Sequence, residues 1–245
     1  MPLETAPDWP SGYAGEPGAH PPLASPAYRS TLLRAPARPL VPLPQGLTEL
    51  TGPLLGADRV TARDADLTAQ SDGEPIGQRI TVSGRVLDGD GRAVPGTLVE
   101  VWQANAAGRY AHPADTWPAP LDRHFAGVGR AVTDGAGSFR FTTVRPGAYP
   151  WGNHPNAWRP AHIHFSLFGR AFAQRLVTQM YFPDDQLFGQ DPIFGSVPAA
   201  ARGRLVSRFD LATTTPSWAL AYVFDIVLRG RDATPTEWPS GPAPA

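Results

Sequence analysis

Twenty-nine prolines and twenty-five glycines are spread through 245 residues, more than one position in five. Proline lacks the backbone N–H and its ring collides with the preceding turn. Glycine gives up the most conformational freedom on ordering, so long helices find no room in such a chain. This density points to an all-β, loop-rich fold. Hydrophobic residues make up 42 %, enough for a sizeable core. Charged residues make up 18 %, 21 basic against 22 acidic, leaving a net charge of −1. That balance argues against a chain that works on nucleic acid or an anionic membrane. Cysteine is absent, which removes disulfides, thiolate nucleophiles and cysteine-held metal sites.

The opening MPLETAPDWPSGYAGEP has no basic stretch leading into an apolar one. The longest apolar run, Trp218 to Val227, is too short to span a bilayer and carries Asp225. The expectation is a soluble, cytoplasmic protein. Residues 1–45 form a Pro-rich arm with aromatics at Trp9, Tyr13 and Tyr28, suited to wrapping on another surface. Leu47 to Asp66 reads as a turn-rich linker, so 1–66 is arm and linker and 67–245 is the main domain.

From Arg79 the pattern becomes alternating and β-branched. Strands are expected at 79–87, 97–103, 127–134, 138–144, 161–168, 174–182 and 219–230. DGDG at 88–91 and GAG at 135–137 read as hairpin turns, and 198–209 as one short helix. Strands at short intervals with turn signals between them make a β-sandwich.

The sharpest chemical feature is His162-Ile163-His164 within an expected strand. Strand side chains alternate faces, so both imidazoles point one way, about 6–7 Å apart along the strand. Two readings stand: a pair of metal ligands, or two hydrogen-bonded histidines beside a loop. A cupin-like set would need a later histidine, and none follows. A two-histidine, one-carboxylate iron site would need Asp184 or Asp185 to reach back. Tyrosine is the other candidate ligand. Tyr181 and Tyr222 sit in strands and read as packing residues. Tyr110 and Tyr149 follow Gly-containing, strand-ending sequence. Each reads as a packed turn residue or as a phenolate. With a phenol pKa near 10, the phenolate needs a strong cation such as trivalent iron beside it.

GRY (108–110), PGAYPW (146–151) and NAWRPAHIHF (156–165) resemble the motifs of the intradiol ring-cleaving dioxygenases. So do TLVEVWQANAAGRY (97–110), VTQMYF (177–182), AYVFDIVLRG (221–230), YRSTLLRAP (28–36) and TGP (51–53), which covers nearly the whole chain. The resemblance implies a β-sandwich holding one non-haem Fe(III) through Tyr110, Tyr149, His162 and His164, with a solvent hydroxide. It implies that a catecholic substrate chelates the iron and displaces Tyr149. Ring opening between the two hydroxyl-bearing carbons by O2 then gives a cyclic anhydride and a muconate. Arg159 would stabilise negative charge on the ring. Tyr28, Trp151, Gln179 and Ile193 would line the substrate pocket. In some members a homologous alpha chain without the iron ligands completes the pocket, in assemblies of αβ units. The retained ligands and Pro-rich start resemble the beta chain of such a pair, not the helical start of the catechol and hydroxyquinol enzymes. In one place the chain departs: where relatives carry a basic residue after the Trp of PYPW, it has Gly152, with His154 two positions on.

Residues 79–149 alone also resemble transthyretin-like and carboxypeptidase-regulatory sandwich modules, which only bind or support. Tyr110, Arg159 and the His-Ile-His strand separate the two readings. A third, an Fe(II) extradiol-type oxygenase, implies a colourless site and ring opening beside the hydroxyl pair.

Overall fold

The computed structural model describes residues 18–36, 59–152, 154–169 and 172–236. Trp9, Tyr13 and most of the linker lie outside the described residues. Two sheets face each other. One joins β1 (Arg79–Leu87) to β4 (Ser138–Val144) on one side and to β10 (Leu220–Val223) and β11 (Ile226–Val227) on the other, with β9 (Arg208–Phe209) beyond β10. The other runs β3 (Val128–Val132), β2 (Leu98–Trp102), β7 (His162–Gly169), β8 (Phe172–Tyr181). A two-stranded ribbon, β5 (Tyr149–Pro150) with β6 (Trp158–Arg159), stands beside them. This is the expected β-sandwich.

The core between the sheets follows from alternation. Ile80, Val82 and Val86 of β1 meet Val99 and Val101 of β2, Phe139 and Phe141 of β4, and Ile163, Phe165 and Leu167 of β7. Phe165 sits at the centre, with ring centroids 5.9 Å from Phe139, 5.9 Å from Phe141 and 5.2 Å from Phe224. Because the odd-numbered residues of β7 fill this core, His162 and His164 lie on the opposite face of the sheet.

Both expected hairpins are instead arches. The turn at 88–91 closes only a single bridge, Leu87 to Ala93, before β2 enters the other sheet. The turn at 135–137 likewise connects β3, paired to β2, with β4, paired to β1. The Asp134 carboxylate closes it by accepting from the backbone N–H groups of Ala136 and Ser138, both at 2.9 Å. Alternation fits either geometry, and the arch puts Ala131 and Phe139 into one core. The segment 219–230 is two strands, because at the break the Asp225 carboxylate, not a backbone carbonyl, accepts from Arg85 N–H at 2.8 Å. The helix expected over 198–209 is shorter. Chain geometry is helical at α3 (Ala199–Arg202) and tightens into a 3₁₀ turn at Gly203–Leu205. Val206 then bridges to Tyr181 in β8 and draws the chain extended.

Part of the arm is in place. The short α1 (Ser30–Arg34) is tied down by the Thr31 hydroxyl, which accepts from Ser25 N–H at 2.7 Å. His20 Nδ1 accepts from Thr236 N–H at 3.1 Å, which pins the segment to the far end of the chain. No helix among the described residues is long and apolar enough to cross a membrane.

Candidate metal centre

Two loops carry the tyrosines, and glycine lets them interlock. In NAAGRY the Asn105 side-chain oxygen accepts from the N–H groups of Ala107 and Arg109, at 2.9 and 3.0 Å, while Gly108 turns at φ +77°. A Cβ on Gly108 would lie 2.3 Å from the Ala148 carbonyl oxygen, and one on Gly147 would lie 2.5 Å from that of Ala106. Only side-chain-free backbone can approach so closely. Gly147 N–H donates to the Asn105 carbonyl at 2.9 Å, which fastens the second loop to the first. Asp115 accepts from Tyr110 N–H at 2.8 Å. Tyr149 is held from its other side by β6, in register with Arg159.

The result is a closed ring of four donor atoms. Tyr110 Oη lies 3.4 Å from Tyr149 Oη, and Tyr149 Oη lies 3.3 Å from His162 Nε2. His162 Nε2 lies 3.2 Å from His164 Nε2, and His164 Nε2 lies 3.2 Å from Tyr110 Oη. All four residues singled out in the sequence converge. His162 Nδ1–H donates to the Pro160 carbonyl at 2.7 Å, which leaves Nε2 with its lone pair facing the ring centre. Trp102, opposite His164 in the β2–β7 register, lies flat on that imidazole with centroids 4.7 Å apart and planes 2° from parallel.

Burial sets the charge states. It pushes the Tyr110 phenol well above its ordinary pKa, and neighbouring Tyr149 adds to this. Tyr149 is raised by burial against the opposing pull of Arg159. Burial, then Arg159, drives the His164 imidazole down to about 3, and the same causes with His164 itself hold His162 well below the usual range. The protein alone therefore gathers two neutral imidazoles and two phenols that ionise only beside a strong cation. Ligand bonds of about 2 Å place neighbouring ligands roughly 3 Å apart, so the spacing fits one ion. Among the described residues no group of three His, Cys, Asp or Glu could hold a metal. Asp185 is engaged elsewhere, accepting from the N–H groups of Ala161 at 3.3 Å and Leu187 at 2.9 Å.

Arg159 is 3 % exposed. Its Nε donates to Asp191 Oδ2 at 3.1 Å, and its Nη2 donates to Gln179 Oε1 and to Tyr181 Oη. The Tyr181 hydroxyl donates to the same Asp191 oxygen at 3.0 Å. Burial opposes the guanidinium charge, but Tyr181 and Asp191 outweigh it and the Arg159 pKa rises. In the β7–β8 register Gln179 faces His164 and Tyr181 faces His162, so this cluster adjoins the four donors. Tyr181, read from the sequence as packing, belongs to it. Nothing local marks Asp191 for this contact; its Asp-Pro pair signals a helix start, which says nothing of a distant arginine.

The other expected pocket residues form a flank. Trp151 stacks edge-on with Tyr28 at 5.2 Å, and the Arg159 guanidinium lies 6.0 Å from the Trp151 ring. Tyr28, Gln179 and Ile193 line a cavity of about 230 Å³ shared with the arm residues Pro21, Pro22 and Leu23. None of the four donor residues lines that cavity, and Trp151 does not either. Gly152 and His154 lie in the loop between β5 and β6, where His154 Nδ1 meets the Pro155 carbonyl at 2.8 Å.

Two tyrosines from loop and ribbon thus meet a His-x-His pair from the outer face of β7, and comparison with known proteins supplies the family. The family described as Dioxygenase matches residues 50–230, and the chain belongs to the intradiol ring-cleaving dioxygenases. The family described as Protocatechuate 3,4-dioxygenase beta subunit N terminal matches residues 13–46. The chain is 59 % identical, over 94 % of its length and 95 % of the relative's, to the protocatechuate 3,4-dioxygenase beta chain of Burkholderia cepacia. It is 31 % identical to the alpha chain from the same organism, over 64 % of this chain and 76 % of that one. Among solved structures, 3-chlorocatechol 1,2-dioxygenase from Rhodococcus opacus 1CP aligns with a TM-score of 0.51 at 26 % identity, over 67 % of this chain and 64 % of that one.

Proposed function

We propose that this chain is the iron-holding beta subunit of a protocatechuate 3,4-dioxygenase. Such an enzyme opens 3,4-dihydroxybenzoate with O2 between its hydroxyl-bearing carbons, giving 3-carboxy-cis,cis-muconate. The observation that carries the reading is the closed ring of Tyr110, Tyr149, His162 and His164 donor atoms, each edge 3.2–3.4 Å. Two phenols and two imidazoles suit a hard trivalent ion better than a divalent one, because phenolate is an anionic oxygen ligand. Fe(III), one per chain, would supply the Lewis acidity that ionises the phenols and the catechol and readies the ring for O2.

The chain's own groups do the rest. Tyr149 would be one of the four residues holding the ion. Its burial raises the phenol pKa, so a Tyr149 Oη not engaged by the ion would take up a catechol proton and keep it. Arg159 presents a fixed cation beside Tyr149, where it stabilises negative charge developing on the ring. Tyr28, Trp151, Gln179 and Ile193 orient the aromatic ring and exclude water from it. The division into an arm and linker over 1–66 and a catalytic domain over 67–245 belongs to the same proposal. So do a homologous alpha chain, αβ units in a larger oligomer, and a cytoplasmic location. The match of residues 13–46 to a beta-subunit N-terminus supports the pairing.

The test is a visible spectrum of the purified protein with its alpha chain, before and after anaerobic addition of protocatechuate. A red-brown colour from phenolate-to-iron charge transfer that shifts on addition is expected. A colourless, iron-replete sample, or a yellow semialdehyde product under O2, overturns the reading.

A further inference from the structure

Arg159 is long and flexible, yet its reading as a fixed cation requires one rotamer. Asp191, twenty-nine residues beyond the first histidine and outside every motif noted in the sequence, holds it there. We infer that Asp191 is the positioning residue for Arg159, with Tyr181 as the strut between them, and that it ties the guanidinium to the Ile193 wall of the pocket. The inference deepens the proposed function and rests on it.

Three contacts carry it. First, Asp191 Oδ2 takes the Nε edge of the guanidinium at 3.1 Å, with the carboxylate 0 % and the guanidinium 4 % exposed. Nε is the nitrogen nearest the stem, so fixing it fixes the plane of the whole group. Second, the same oxygen accepts from the Tyr181 hydroxyl, while Tyr181 Oη accepts from Arg159 Nη2 at 3.3 Å. The guanidinium is thus held at two corners, and Gln179 shares the second. Its Nη1 donates to none of the described residues. Third, Asp191 Oδ1 caps α2 (Pro192–Ser196) by accepting from Ile193 N–H at 2.8 Å. One carboxylate therefore sets both the cation and the pocket residue Ile193. A purely structural ion pair would need neither the shared tyrosine nor the cap onto a pocket residue.

Asn caps a helix as well as Asp does, so Asp191→Asn keeps α2 and removes the charge that orients Arg159. In the iron-loaded holoenzyme with protocatechuate and O2, Asp191→Asn is expected to lower kcat by about 100-fold, the loss typical of a misplaced catalytic group. KM should move by less than about 3-fold, since the pocket wall stays. Arg159→Ala in the Asp191→Asn background should lower kcat no further, because groups acting as a unit are not additive. Tyr181→Phe, which removes one hydroxyl only, should lower kcat by roughly 10-fold and serves if Asp191→Asn fails to fold. An Asp191→Asn or Tyr181→Phe enzyme with wild-type kcat, beside an Arg159→Ala enzyme that has lost it, overturns the inference and leaves the proposed function standing. Additive losses in the double variant overturn it equally. An Arg159→Ala enzyme with wild-type kcat strikes instead at the role given to Arg159 in the proposed function.

Discussion

Asp191→Ala is expected to be among the most damaging single substitutions in the chain, for reasons of stability separate from its part in turnover. It leaves the Arg159 guanidinium, 4 % exposed, without its carboxylate. Removing one partner of a buried pair costs about 3–5 kcal/mol, most of it the penalty of an uncompensated charge. The same substitution removes the cap on Ile193 N–H, worth about 0.5–2 kcal/mol. The Tyr181 hydroxyl, freed of Asp191, can turn its hydrogen to Gln179 Oε1 at 3.2 Å and adds little. The sum is roughly 3.5–7 kcal/mol. For a domain of this size each kcal/mol moves the midpoint by about 2–4 °C, so a fall of roughly 7–28 °C is expected. Thermal unfolding followed by circular dichroism measures it. The double variant Arg159→Met, Asp191→Leu removes both charges and should recover to within about 1–2 kcal/mol of wild type. A single variant that melts within about 3 °C of wild type refutes the reasoning. A double variant as unstable as the single one does the same.

The metal-free chain should lose stability as pH falls below the ordinary histidine range. His164 has a folded pKa of about 3 against an ordinary 6.5. Between those values the unfolded chain binds a proton that the folded chain refuses, so stability is full above about 6.5 and declines toward 3. At pH 5 the loss is about 2 kcal/mol from this group, and His162 acts in the same direction. Urea titrations at several pH values check it, and a His164→Asn chain with an undiminished slope would refute it. Gly108→Ala should unfold more easily by at least about 1–2 kcal/mol and bind less iron per chain, measured by elemental analysis. Gly152→Ala, whose Cβ would meet nothing within 4 Å, should stay within about 0.5 kcal/mol of wild type.

What the sequence discloses divides along the range of the interaction. Period-two alternation in His162 to Phe168 is local, so it places both imidazoles on one face before any partner is known. Tyr110 and Tyr149 were legible only as tyrosines after Gly-containing breaks. Their meeting depends on two loops interlocking at Gly108 and Gly147, thirty-nine positions apart. The arches at 88–91 and 135–137 were illegible because alternating strands satisfy hairpin and arch alike. Which occurs depends on β1 finding β4 and β2 finding β7. Asp191 was hidden for a related reason. Its local signature is a helix cap, and its second oxygen answers to an arginine thirty-two residues earlier. Trp102 could have been read from its place at the end of a strand. Its stacking on His164 needs the β2–β7 register, which no local pattern supplies.

The two faces of β7 carry a consequence for how the protein is made. Ile163, Phe165 and Leu167 fill the sandwich, while the imidazoles alternating with them look outward. A slip of one residue during assembly would turn every side chain over, driving both imidazoles into the greasy interior and stranding Phe165 in water. Such a molecule could neither close its interior nor capture an ion. Convergence of the four donor atoms therefore depends on correct pairing of β7 with its neighbours, so in the proposed function iron uptake would report that pairing.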